Sequence, residues 1–208
     1  MSLHQGRPAR RHGAAQPLHF HPVTPPRLPD LRRFAAEHGK FGWCSCMRWR
    51  MTSTEFHAST RAGRASNLNA MVAAGTPVGV LAYRGDDPVG WCSIAPRETY
   101  QGLERYRALP RLDDQPVWSV VCFYVDRRER HSGITLGLLR AAIAYAQSLG
   151  AGIIEAYPVE PAARLYTYMG SPSIFRKAGF RDVTPRGQAR RVMRYLSGAA
   201  AKRQRRRR

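Results

Sequence analysis

The middle of the chain carries a strand pattern that passes directly into a helix pattern. Residues 117–125 are mostly β-branched or aromatic, as in a buried strand. Apolar residues then recur with helical period at Ile134, Leu138, Leu139, Ala142, Ile143 and Ala146. The first N–H groups of a helix have no intrahelical partner, and the helix dipole is positive there. The basic turn between strand and helix therefore predicts an anion-binding loop, in which Gly133 lets the backbone approach a phosphate closely.

The other apolar patterns predict the same alternation along most of the chain. Strands are expected at 18–23, 78–83, 89–94, 152–158, 180–183 and 190–196, and helices at 28–38, 67–74 and 173–178. The order is thus β-α-α-β-β-β-α-β-α-β-β. A chain of 208 residues accommodates one such domain with a sizeable core.

Two local motifs give this order a family resemblance. Arg130-x-x-Gly133-x-Thr135 resembles the Q/R-x-x-G-x-G/A pyrophosphate loop of the GCN5-related N-acetyltransferase (GNAT) superfamily, with Thr in the place of the usual Gly or Ala. Residues 175–180 resemble the family's aromatic-x-K-x-G-F helix end. The resemblance covers roughly residues 18–196. It implies an α/β (α+β) single domain whose mixed, mostly antiparallel sheet splays at the acetyl-CoA site, with helices on both faces.

The resemblance also implies which residues bind acetyl-CoA, the co-substrate. The pantetheine arm would insert like a missing strand against the backbone of Phe123, Tyr124 and Val125. Arg130 would add a charge to the pyrophosphate site. The pyrophosphate itself would accept hydrogen bonds from the backbone N–H groups of His131, Ser132, Gly133, Ile134 and Thr135.

Catalysis on a thioester requires orientation of a neutral amine, stabilisation of an oxyanion and management of two protons. Glu155 and Glu98 are the candidate bases, although a surface carboxylate and an Arg-paired loop residue are the plainer interpretations. Phe175 stands where many family members have a Tyr that protonates the leaving thiolate. Solvent is one substitute for that Tyr. A hydroxyl on the same segment is another, namely that of Ser173, Tyr168 or Tyr166.

The implied function is transfer of an acetyl group to a primary amine by direct attack in a ternary complex. The acceptor stays open between a protein lysine and a small-molecule amine. The aromatic stretch at 41–50 would form a wall of the acceptor pocket, as the equivalent region does in the family. A formal charge of +20 would repel a cationic polyamine and favour a neutral or acidic amine. The alternative is a non-catalytic acyl-CoA-binding or RNA-associated module with the same fold.

Much of the positive charge lies at the two ends of the chain. Residues 202–208 contain six Lys and Arg residues, and Arg7, Arg10 and Arg11 lie near the start. We expect a disordered basic leader at 1–17, the N-acetyltransferase domain at 18–197 and a disordered Arg-rich tail at 198–208. Weak contact of this tail with nucleic acid is the rival interpretation, and it would carry no sequence information.

The four cysteines predict neither disulfides nor a metal site. The spacing of Cys44-x-Cys46 with His57 fits no common zinc pattern. No apolar run approaches the ~18 residues that a membrane span requires, and the arginines near the start precede no apolar signal segment. We therefore expect a soluble cytoplasmic protein without a metal or a membrane partner. The sequence leaves a homodimer open.

Overall fold

The computed structural model describes residues 16–163 and 165–198. A seven-stranded sheet runs through them. Its strands are β1 (Leu18–Pro22), β2 (Gly79–Arg84), β3 (Asp87–Pro96), β4 (Trp118–Val125), β5 (Ile153–Ala156), β6 (Arg181–Asp182) and β7 (Met193–Leu196). The helices are α1 (Leu28–Glu37), α2 (Gly39–Cys44), α3 (Ser53–Ala58), α4 (Arg61–Ala73), α5 (Gln101–Glu104), α6 (Ile134–Ser148) and α7 (Pro172–Lys177). None of the helices in this part of the chain is long and apolar enough to cross a membrane.

The sheet is mixed and mostly antiparallel, as predicted. Its strand order is β1-β2-β3-β4-β5-β7-β6, and only β4 and β5 are parallel. This parallel pair requires a crossover connection, because a tight hairpin can join only antiparallel strands. Helix α6 supplies the crossover, so the strand-to-helix junction seen in the sequence belongs to the one parallel unit of the sheet.

Helices cover both faces of the sheet, which confirms that prediction as well. Leu138, Leu139 and Ala142 of α6 pack with β2, β3, β4 and β5 in one core cluster. Leu31 and Phe34 of α1 pack with Leu68 of α4 in a second cluster on the other side. The two halves of the core therefore enclose the sheet.

The helices on the second face are longer and more numerous than apolar spacing predicts. Helix α4 begins six residues before the predicted start at 67, where the side chain of Thr60 accepts a hydrogen bond from the Gly63 amide at 3.0 Å. Helix α3 begins with a capping box between Thr52 and Glu55. Both starts are set by polar caps rather than by apolar period. Periodicity alone therefore missed α3 and the first half of α4.

Strand β4 carries a bulge at the point where the sheet opens. Its register with β3 places Ile94 opposite Val120 and Ser93 opposite Cys122, so that Val121 has no partner. An extra residue of this kind bends the strand that carries it. Pairing between β4 and β5 covers only Trp118–Val120 against Ile154–Ala156. Beyond these residues the two strands part, as the predicted splayed sheet requires.

Two of the predicted segments lie almost wholly outside the described residues. These are the basic leader at 1–17 and the Arg-rich tail at 198–208, of which residues 16, 17 and 198 alone are described. The boundaries of the three segments stay predictions.

Helix α6 approaches β1 so closely that position 137 has no room for a side chain. A Cβ atom on Gly137 would lie 2.3 Å from Cζ of Phe20. We expect Gly137→Ala to lower the free energy of unfolding by about 1 kcal/mol, since overpacking costs ~1–3 kcal/mol and the better helix propensity of Ala returns at most ~1 kcal/mol. Urea unfolding measures this change.

Gly39→Ala is the matched control for this substitution. No atom lies within 4 Å of the added Cβ, and Gly39 begins helix α2. The control should be as stable as the parent. A Gly137→Ala protein as stable as the control would contradict the close packing of Phe20 on α6.

Candidate active site

A loop with free backbone N–H groups precedes α6, at the place where the sequence predicts an anion-binding loop. No hydrogen bond within the described residues is made by the backbone N–H groups of His131, Ser132, Gly133, Ile134 and Thr135. His131 and Gly133 adopt left-handed backbone conformations, with φ of 64° and 80°. Alternation of this kind turns successive N–H groups toward one concave side. Five donors without a partner in the described residues, at the positive end of a 15-residue helix, have the geometry and charge that suit an anion.

Two acidic side chains hold this loop in place. The carboxylate of Glu129 accepts hydrogen bonds from Nε and Nη2 of Arg84, at the end of β2, at 3.0 and 2.6 Å. Asp126 accepts a hydrogen bond from the Arg128 amide at 2.9 Å. Both carboxylates are largely buried. Arg130 itself is exposed and has no carboxylate within 4.0 Å among the described residues, so its charge is available to an anion on the loop.

The open edge of β4 continues from this loop. Past Val120, β4 makes no ladder with β5, so the backbone groups of Phe123 and Val125 that face β5 have no strand partner in the described part, whereas those of Tyr124 face β3. The ring of Phe123 lies 6.0 Å from that of Phe175, and the ring of Tyr124 lies 5.3 Å from that of His38. The structure therefore brings the predicted cofactor-binding residues together along one edge, with aromatic walls on both faces.

An aromatic cluster lies on the other side of the bulge. Its four members are Trp49, Tyr106, Tyr166 and Tyr168. The ring of Tyr166 is 5.9 Å from Trp49, 6.4 Å from Tyr106 and 6.1 Å from Tyr168. Trp49 packs in one core cluster with Val121, the bulged residue of β4. The aromatic stretch at 41–50 contributes Trp49 to this cluster, whereas no pattern in the sequence predicted that Tyr106 would join it.

Tyr168 and Ser173, the candidate proton donors, occupy different surroundings. Tyr168 is half-buried, and burial raises its pKa well above the usual range, with a further contribution from Cys122. Its phenol therefore keeps its proton at neutral pH. Ser173 is exposed, and its hydroxyl lies 2.9 Å from that of Ser171. Phe175 is fully buried against Phe123. Of the two hydroxyls, only that of Tyr168 belongs to the aromatic cluster.

Glu155 is the centre of a buried ion-pair network. It is 1% exposed, and one oxygen accepts hydrogen bonds from Arg97 at 3.0 Å and from the Tyr157 hydroxyl at 2.8 Å. The other oxygen accepts from Nε of Arg194 at 2.8 Å. Arg194 in turn holds Asp113, whose pKa it lowers. Because both oxygens of Glu155 are occupied by cations, this arrangement favours a structural role over the predicted role of base.

Glu98, the other candidate base, is exposed and lies beyond the far end of β4. It follows Pro96, which pairs with Trp118 at the start of β4. Trp118 and Phe123 are five positions apart, which is about 16 Å along a strand. The structure therefore separates Glu98 from the open edge of the sheet.

The cysteines lie near the bulge but do not form a metal site. No group of three His, Cys, Asp or Glu residues in the described part is arranged to hold a metal ion. The Trp91 indole N–H donates to Sγ of Cys46 at 3.2 Å. A hydrogen bond with the Cys122 thiol lowers the pKa of Cys46, and the same contact raises that of Cys122. Burial raises the pKa of Cys44 to about 11.

Comparison with known proteins agrees with this geometry. A sequence model of the acetyltransferase (GNAT) family matches residues 43–170. Among solved structures, an aminoglycoside acetyltransferase in complex with coenzyme A is 17% identical with a TM-score of 0.52, over 91% of this chain and 99% of that chain. An uncharacterized protein from Bacillus halodurans is 14% identical with a TM-score of 0.51, over 89% and 87%. These likenesses concern the fold. No curated protein matches the chain.

Replacement of Glu155 separates the structural role from the catalytic one. We expect Glu155→Gln to lower the free energy of unfolding by about 3 kcal/mol, because it leaves two buried arginines under-compensated. The kcat of the folded fraction should fall far less than the ~100-fold expected from loss of a general base. Urea unfolding and initial rates below the unfolding transition measure the two effects.

Glu160→Gln is the control for a carboxylate in an exposed ion pair. Glu160 binds Arg191 with its side chain 62% exposed. Its replacement should change stability by less than ~1 kcal/mol. A Glu155→Gln protein with parental stability and a large loss of kcat would restore Glu155 as the base.

Proposed function

The chain belongs to the acetyltransferase (GNAT) family, and from this premise we propose that it transfers the acetyl group of acetyl-CoA to a primary amine in a ternary complex. One observation carries the proposal. The five unpaired N–H groups before α6 and the unpaired backbone edge of β4 form one continuous surface, at whose other end lies the aromatic cluster. Such a surface suits a long, anionic cofactor that reaches from the loop to a pocket.

The two halves of this surface suit the two halves of acetyl-CoA. The N–H groups of residues 131–135 bind the pyrophosphate, and the exposed guanidinium of Arg130 adds a charge-assisted contact. The free backbone groups of Phe123 and Val125 bind the amides of the pantetheine arm, as an added strand would. This arm then places the thioester near the bulge at Val121.

The reaction at the bulge is attack of a neutral amine nitrogen on the thioester carbonyl. A carbon–nitrogen bond forms, the carbon–sulfur bond breaks, and coenzyme A leaves as a thiolate. Free N–H groups of the opened edge of β4 stabilise the developing oxyanion, since they are fixed before the reaction begins. The acceptor enters from the side of the aromatic cluster, where Trp49 and Tyr166 form the wall.

The pocket prepares the amine without a carboxylate base. Arg48 and Arg190 lie over the rings of Trp49 and Tyr166, at 5.5 and 4.5 Å, and no carboxylate of the described residues lies within 4.0 Å of either. Nearby positive charge disfavours the ammonium form of an amine. The amine therefore loses its first proton to water on entry. After attack it loses the second to water, which also returns a proton to any side chain that has protonated the thiolate.

Tyr168 supplies a proton to the leaving thiolate, in place of the Tyr that Phe175 replaces. Its phenol is protonated at neutral pH. Tyr168 and Cys122 both pack against the core cluster that contains Trp49 and Val121. We expect Tyr168→Phe to lower kcat with little change in KM for acetyl-CoA, because the ring still packs.

Release of free thiol from acetyl-CoA tests the proposed function. A panel of neutral amines, amino acids, diamines and lysine peptides is incubated with the full chain, and thiol is measured with a chromogenic disulfide. We expect turnover with at least one class of amine and the N-acetyl product in its mass spectrum. Binding of acetyl-CoA without turnover across the panel would instead support the non-catalytic alternative.

The binding half of the proposal is tested at Arg130. We expect Arg130→Gln to raise KM for acetyl-CoA about 5- to 20-fold, equivalent to the ~1–2 kcal/mol of a charge-assisted contact, with kcat within twofold of the parent. Arg140→Gln removes the same charge from an exposed position further along α6 and should leave KM unchanged. Equal effects of the two substitutions would show that overall charge, not the loop, attracts acetyl-CoA.

A further inference from the structure

Arg190 is a partly buried cation whose hydrogen-bonding capacity the described chain does not use. It lies between β6 and β7, with its guanidinium 4.5 Å from the ring of Tyr166 and 6.0 Å from that of Tyr106. Nη2 lies 3.4 Å from Sδ of Met169, a weak acceptor. Nε and Nη1 are buried and have no hydrogen-bond partner in the described part.

Three other arginines near the sheet are paired with carboxylates, whereas the buried Arg50 and Arg64 donate to backbone carbonyls and hydroxyl groups. Arg84 binds Glu129, and Arg97 and Arg194 both bind Glu155. All 14 Asp and Glu residues of the chain lie within the described part, and none has an oxygen within 4.0 Å of Arg190. An unpaired buried charge is costly. The chain therefore has no side-chain carboxylate of its own for Arg190.

A second unused donor lies beside the first. Trp49 is 2% exposed, and its Nε1–H is buried without an acceptor in the described residues. Its ring is 5.4 Å from Tyr106 and 5.9 Å from Tyr166, the two rings that Arg190 also contacts. Arg48 lies 5.5 Å above the Trp49 ring and likewise has no carboxylate within 4.0 Å there. Two buried donor side chains thus contact the same two tyrosines, and a further cation lies over the ring of one of the donors, Trp49.

These donors lie on the acceptor side of the reaction centre. Trp49 and Met169 pack with the bulged residue Val121, while the pyrophosphate loop begins after Val125. Four residues of strand separate the two places, a distance of about 13 Å. The phosphates of acetyl-CoA on the loop therefore do not satisfy Arg190.

We propose that the acceptor amine also carries a carboxylate, which Arg190 binds with the help of the Trp49 indole N–H. The substrate class is small amino carboxylates, such as α- or β-amino acids. This inference rests on the proposed function, since it concerns the acceptor of that reaction. A planar guanidinium matches the geometry of a carboxylate, and the hydrogen bonds between the two groups are stronger where water is excluded.

A carboxylate can reach the guanidinium of Arg190 only after the Tyr166 side chain moves. Tyr166, whose ring covers the guanidinium, is half-exposed between the exposed residues Leu165 and Thr167 and has a left-handed backbone, with φ of 62°. Rotation of its side chain uncovers the buried nitrogens. The carboxylate then neutralises the charge of Arg190, which no carboxylate of the chain pairs, and the amine of the same small molecule points toward the bulge.

Matched acids and amides test the proposal. Thiol release is measured with β-alanine and β-alaninamide, and with L-alanine and L-alaninamide, and kcat/KM is calculated per concentration of neutral amine because an amide lowers the pKa of its amine. We expect the acids to exceed the amides by about 100-fold, as for a site with buried donors that the amide leaves unpaired. O-Phosphoethanolamine is a third arm, and its preference over β-alanine would overturn the assignment of a carboxylate.

Two variants connect this preference to one side chain. Arg190→Gln should reduce the ratio of acid to amide to below about fivefold, mainly through KM for the acid, and leave KM for acetyl-CoA unchanged. Arg186→Gln removes an exposed charge from the same connection and should keep the parental ratio. A parental ratio in Arg190→Gln, or equal losses in both variants, would overturn the proposal.

Direct binding separates failure of the inference from failure of the proposed function. Calorimetric titration of β-alanine and β-alaninamide into the CoA-saturated protein measures the acceptor site without turnover. Binding of the acid alone, abolished by Arg190→Gln, would support the carboxylate site even if no amine is acetylated. Turnover of amines without a preference for acids would keep the acetyltransferase and overturn the carboxylate site. Absence of both binding and turnover would count against both.

Discussion

The bulge in β4 is the constraint on which the site depends. Because Val121 has no partner on β3, the strand bends, and its pairing with β5 ends at Val120. A sheet that opens in its middle leaves backbone donors and acceptors unpaired, which is costly unless another molecule completes the ladder. The same opening exposes Cys122 and the aromatic cluster on one side and leads to the loop before α6 on the other. One irregular residue thus places a long binding surface across the sheet.

The sheet must stay closed immediately beside this opening, and the buried charges around Glu155 hold it there. Glu155 lies opposite Ser119, one position before the last paired residues of β4 and β5. Its two arginines come from the turn after β3 and from β7, so the network connects three elements across the sheet. Charges buried this deeply are tolerated because every oxygen has a partner. The network explains how β4 and β5 can separate after Val120 while the neighbouring strands stay paired.

Beyond the bulge, the electrostatics of the pocket are unusual because its cations lack carboxylates. Arg48 and Arg190 stack on Trp49 and Tyr166, where aromatic faces offset part of their charge. The overall charge of +20 is therefore not confined to the two ends of the chain. A positive pocket disfavours the ammonium form of an amine, which agrees with the proposed attack by a neutral amine. It also favours anions, which agrees with an acceptor that carries a carboxylate.

The sequence by itself determined the strands, the main helix and the strand-to-helix loop, because strand period, helix period and the unpaired N–H groups of a helix start are local properties. It therefore predicted an anion-binding loop at 130–135, to which the family resemblance added residues 123–125. It did not determine the surroundings of Glu155, whose partners Arg97 and Arg194 are 58 and 39 positions away. Nor did it bring Trp49 to Arg190. Only the tertiary structure decided these contacts, since burial and the availability of a hydrogen-bond partner depend on residues from other strands.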